Sequence, residues 1–73
     1  MSKLPQVSGA DVVRALQKLG FTVRRQHGSH IIMRRDDPFA QTVVPNHRQI
    51  DRGTLRAILR QTELPVEEFI RLL

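Results

Sequence analysis

Apolar residues recur along this chain in two rhythms. After Ser8, the residues Val12, Val13, Leu16 and Leu19 return at helical spacing. Ser8 followed by Asp11 matches a capping box in which Asp replaces the usual Glu or Gln. Gly20 stands where a helix end favours positive φ, so the pattern predicts a helix over about 9–19. Alternation follows. Phe21-Thr22-Val23-Arg24-Arg25-Gln26 begins like a half-buried strand, His27-Gly28 reads as a tight turn, and Ser29 to Arg35 reads as a second strand. Asp36-Asp37-Pro38 is a second turn, and Gln41-Thr42-Val43-Val44 a third strand ended by Pro45. Helical spacing then returns. Asp51 caps a helix with Leu55, Ile58 and Leu59 inward and Arg52, Arg56 and Arg60 four apart on another face. Leu64-Pro65 breaks it. Pro65 suits the first turn of a last short helix, where Glu67 and Glu68 complement the dipole and Phe69, Ile70 and Leu73 form the apolar side.

The order is α-β-β-β-α-α, an α+β domain over residues 1–73 with a three-stranded antiparallel sheet and helices on one face. The other face is left open, and function is to be sought there. In the second strand Ser29, Ile31 and Met33 point one way, and His30, Ile32 and Arg34 the other. The first set makes the better core row, because the second carries an imidazole and a guanidinium. That places His30 on the open face of the middle strand, beside Arg34. A slip of one residue would exchange the two rows.

Composition narrows the class. At 73 residues the chain buries only roughly 60% of its unfolded surface. With no cysteine it has neither disulfide nor thiolate metal site to reinforce it. No apolar run exceeds three residues, as in Ile31-Ile32-Met33, far short of a membrane span, and the first residues lack the apolar stretch of a signal peptide. A cytoplasmic location away from the membrane is the expectation. Twelve Lys and Arg face seven Asp and Glu, and ten of the twelve are Arg. Residues 1–60 carry a net +7 and residues 61–73 a net −2, a basic body that suits a polyanion such as nucleic acid.

Most other chemistries fail on spacing. His27 and His30, if in one strand, would point to opposite faces, and no Cys joins them or His47, so no metal and no cofactor is expected. Ser29 next to His30 is badly placed for a nucleophile and base. The glycines form no phosphate-cradling loop. The last two helices fail as a DNA-reading pair, since the second, from Pro65 to Leu73, carries two Glu and one Arg. No direct DNA binding is expected. Arg24, Arg25, Arg34 and Arg35 flank the first hairpin and are placed to track phosphates, while few aromatics remain for base stacking. His47, after a Pro-Asn pair in a loop, reads as structural or as lying at the substrate's edge.

Several stretches together resemble a family. Lys3-Leu4-Pro5-Gln6-Val7-Ser8-Gly9, Leu19-Gly20-Phe21, Arg25-Gln26-His27-Gly28-Ser29-His30, Val44-Pro45-Asn46-His47, Gly53 to Gln61 and Val66-Glu67-Glu68-Phe69 look like the HicA, or YcfA-like, toxins, in that family's order. The resemblance implies a fold like the double-stranded-RNA-binding domain. It implies a toxin of a bacterial toxin–antitoxin pair that cleaves mRNA, and a cognate HicB-type antitoxin that covers the active site. Its catalytic histidine lies in the Gly-Ser-His motif and carries over to His30 alone, with Gly28 and Ser29 as the motif turn. His27 falls where the family is often basic and receives no catalytic role. The chain departs from the family at Glu63 and Pro65, where Gly and Ser are common.

A single histidine without metal fits cleavage by the RNA's own 2′-hydroxyl, with His30 as general base. Arg34 or Arg24 would stabilise charge on the phosphate, and water or Lys3 would protonate the leaving oxygen. A non-catalytic RNA-binding module and a protein-interaction adaptor are the alternatives.

Overall fold

The computed structural model describes residues 3–73. Helix α1 spans Gly9–Gln17, strands β1, β2 and β3 span Thr22–His27, His30–Asp36 and Phe39–Pro45, and helices α2 and α3 span Arg52–Gln61 and Val66–Leu72. The sheet runs β1-β2-β3 with both neighbouring pairs antiparallel. This is the α+β order expected from the two rhythms. Burial alternates along β2 and β3: Ile31, Met33, Ala40, Thr42 and Val44 are buried, while His30, Phe39, Gln41 and Val43 are exposed. One face of the sheet therefore meets the helices, which bury Val12, Ala15, Leu16, Leu55, Ile58, Leu59 and Phe69 with it.

The helices start where side chains satisfy their first N–H groups. Ser8 Oγ accepts from Asp11 N at 3.0 Å, and Asp11 Oδ2 accepts from Ser8 N at 3.0 Å. The backbone and then the hydroxyl of Ser8 hold the Asp11 carboxyl below its usual 3.8. Asp51 caps α2 by accepting from Thr54 N at 3.1 Å and Thr54 Oγ1 at 2.7 Å, and these bonds lower its pKa also. Buried Thr42 donates to Gln61 Oε1 at 2.7 Å and ties β3 to the end of α2.

Gly9 meets β3 at a contact that excludes any side chain. Its N–H donates to His47 O at 2.9 Å, and a Cβ there would stand 2.2 Å from Pro45 O. That close approach docks the start of α1 against the exit of β3.

Several boundaries differ from the expected ones. α1 ends at Gln17, because Leu19 N turns back to Leu16 O at 2.9 Å, Gly20 takes φ +90°, and Phe21 N also reaches Leu16 O at 3.1 Å. Phe21 thereby drops into the core ahead of β1 instead of opening it. β1 is not half-buried; all six of its residues are exposed. It is an edge strand, α2 packs chiefly on β3, and a bulge at Arg24 interrupts the register between Val23 and Arg25. β3 begins two residues early, at Phe39, and keeps Pro45 as its last paired residue. Pro65 caps α3 from outside rather than lying in its first turn. At the joint before it, Leu64 N closes on Leu59 O at 2.9 Å with Glu63 at φ +54°, a conformation that glycine adopts without strain.

Candidate active site

The strand register arranges the open face as rows across the sheet, since directly opposed residues share a face. The first row, at the β1–β2 hairpin end, is His27, His30 and Pro45. The second is Arg25, Ile32 and Val43, and the third is Thr22, Arg34 and Gln41. Asp36 and Phe39 end the face, six residues along β2 from His30 or roughly 20 Å away. No one-residue slip occurs: Ile31 and Met33 form the core row, and His30 stands exposed on the middle strand.

The hairpin tip is short and tethered. Only Gly28 and Ser29 connect β1 to β2, with positive φ (+55°) at Gly28 and not at Ser29, the pattern of a type II′ turn. The turn is therefore one residue later than expected, and His27 belongs to β1. Asn46 N donates to Ser29 O at 2.6 Å and Gln26 Nε2 to Gly28 O at 2.9 Å. The loop after β3 thus holds the turn that presents both histidines.

The expected cations divide between the two faces. Arg25 lies on the open face, two residues along β1 from His27, and Arg24 is exposed at the bulge on the sheet's free edge. Among the described residues no ion pair engages either. Arg34 shares the open face but lies two rows from His30, and its Nε sits 2.9 Å from Asp36 Oδ1 in an ion pair too poorly aligned for a hydrogen bond. Arg35 is on the core side. Its guanidinium stacks 4.6 Å from the Phe21 ring centroid and donates to Leu19 O at 3.3 Å and Pro38 O at 3.0 Å, which locks the end of α1 to the second turn. Lys3 leads into a segment, Pro5 to Val7, that lines a cleft with α1 and the last residues of α3, on the helical side. The exposed His47 side chain lies in the loop whose backbone receives Gly9.

Two open-face residues escaped the sequence reading. His27, which the resemblance leaves without a catalytic role, faces His30 across the turn; a Gly flanked closely by two histidines is the available signal. Phe39 is 67% exposed, the aromatic on a face otherwise poor in stacking groups. Its place in a turn-like segment hid it. Among the described residues no cluster of three or more His, Cys, Asp or Glu could hold a metal ion, and no helix is long and apolar enough to cross a membrane.

The model of a family described as "HicA toxin of bacterial toxin-antitoxin" matches residues 9–64, from the start of α1 through the whole sheet to the joint before α3. No curated protein sequence matches the chain.

Proposed function

The chain belongs to the HicA toxin family of bacterial toxin–antitoxin systems, and on that premise we propose that it is a metal-independent endoribonuclease that cuts mRNA with His30 as general base. Family membership implies a cognate antitoxin; on this reading it is a HicB-type protein that binds over the bare sheet and blocks the histidine. The observation that carries the proposal is the setting of His30, exposed at the hairpin end of the middle strand on an uncovered sheet face with Arg25 in the next row. An imidazole covered by a helix could not receive a ribose hydroxyl.

His30 takes the proton of the 2′-hydroxyl, and the resulting oxygen attacks the adjacent phosphorus. Arg25 is better placed than Arg34 to meet charge gathering on the phosphate oxygens, because Arg34 is held by Asp36 farther down the sheet. Arg24, at the edge, follows the backbone of the incoming strand. The products are a 2′,3′-cyclic phosphate and a 5′-hydroxyl. Phe39 offers one base a stacking platform about 20 Å from the cut, a distance of a few nucleotides.

Growth arrest and RNA cleavage by His30→Ala test this reading. RNA cutting is expected to fall by at least about 10²-fold, the size of general-base help, with RNA binding and thermal stability retained. The wild type is expected to cut RNA equally with or without EDTA and to leave the deoxy oligonucleotide intact. Undiminished cleavage by His30→Ala rejects the assignment, and binding without any cleavage by the wild type favours the non-catalytic module.

A further inference from the structure

Cleavage through the 2′-hydroxyl needs two proton transfers at one phosphate. The entering 2′-oxygen must lose a proton and the leaving 5′-oxygen must gain one, and in-line displacement places those oxygens on opposite sides of phosphorus. One imidazole cannot be beside both. Two groups a few ångströms apart on one surface can, one reaching each oxygen.

We propose that His27 is the general acid that works with His30, a role that rests on the endoribonuclease reading above. The register pairs the two residues directly across the Gly28-Ser29 turn. Opposed residues of an antiparallel pair project to the same face with Cβ atoms roughly 4.5–5.5 Å apart. Both side chains are exposed, so a phosphate has access to both. The spacing is held by the two-residue turn and by the bonds from Asn46 N to Ser29 O (2.6 Å) and Gln26 Nε2 to Gly28 O (2.9 Å). The third member of the row is Pro45, which has no proton to give, and Lys3 belongs to none of the rows of this face. Arg25, next along β1 on the same face, serves the non-bridging oxygens.

The step balances. The 2′-hydroxyl proton passes to the neutral His30 imidazole as the bond from O2′ to phosphorus forms. The bond from phosphorus to O5′ breaks, and the His27 imidazolium delivers its proton to O5′. The pair ends with the proton on the other ring, and hydrolysis of the cyclic phosphate or exchange with water restores it. The base role stays with His30 because the family's motif points there, which leaves the opposite member of the pair for the acid.

A change of leaving group tests the assignment. An RNA oligonucleotide cut by the wild type at one mapped linkage is compared with the same oligonucleotide carrying sulfur in place of the bridging 5′-oxygen there. A thiolate departs without a proton, so it removes the need for the acid and leaves the need for the base. His27→Ala is expected to lose at least about 10²-fold on ordinary RNA and to regain most of that on the sulfur substrate. His30→Ala is expected to stay slow on both. Ordinary rates for His27→Ala on the normal oligonucleotide overturn the proposal, as does an equal loss on both substrates, and rescue of His30→Ala instead reverses the roles and overturns it too. Mapped cleavage by the wild type, with its cyclic phosphate end, is read independently, so failure of the acid assignment is separable from failure of the nuclease reading.

Discussion

Ile32 and Met33 are neighbours on β2 with opposite fates. Met33 has no exposed surface and lies among α1, α2 and the other strands' core residues, whereas Ile32 sits half-buried in the bare row between Arg25 and Val43. The same division runs through the whole sheet. On the covered face polar groups are rare and satisfied, as in Thr42 with Gln61 and Arg35 with Phe21, Leu19 and Pro38. On the bare face Arg25, His27 and His30 stand exposed without an ion pair among the described residues. Stability is thus concentrated on one side and reactive groups on the other, so substitutions that harm one property should leave the other largely intact.

The pair at the centre of β2 gives the widest separation. Met33→Ala is expected to cost about 2–5 kcal/mol by leaving a cavity in a packed interior, read as a drop in denaturation midpoint. Ile32→Ala is expected to cost well under half as much. Equal losses would mean that the bare face is covered in the folded protein. At Gly9 the contrast is one of contact rather than of volume. Gly9→Ala is expected to destabilise by about 1–3 kcal/mol, because the new Cβ meets the Pro45 backbone and the neighbours cannot yield as a flexible side chain would. Since Pro45 shares its row with His30, this variant sharpens the comparison by coupling the two sides: loss of RNA cleavage at a temperature where the variant remains folded would show that the docking of α1 also sets the hairpin. The smallest effect concerns Glu63, in the left-handed region at φ +54°. Glu63→Gly removes the steric cost of that conformation but adds freedom to the unfolded chain, and a net gain of about 0.5–1 kcal/mol is expected, with RNA cleavage unchanged. A loss in the melting temperature would assign Glu63 a contact that outweighs its backbone.

Much of this arrangement is legible in the sequence, and the parts that are not have a common cause. Ser8 with Asp11 and Asp51 with Thr54 mark helix starts through bonds between near neighbours, and both caps form as the residue types require. The period-two rows of β2 separate His30 from Met33 for the same local reason. The roles of Arg35 and His27 depended on partners distant in space or across a chain reversal. The parity of its position already divides Arg35 from its neighbour Arg34, but its stacking on Phe21 depends on where the chain after α1 delivers that ring. His27 and His30 are three apart, a spacing that sets residues of one continuous strand on opposite faces and that the turn between them inverts.

Side-chain period, capping chemistry and the punctuation of Gly and Pro prescribed the order of elements and the face on which His30 emerges, because those signals act over a few residues of backbone. Which cations remain free, which histidine meets which, and how closely α1 approaches β3 were decided by the folded sheet. Pairing register and packing distance are properties of segments brought together, and a change of one residue in a turn reassigns every partner beyond it.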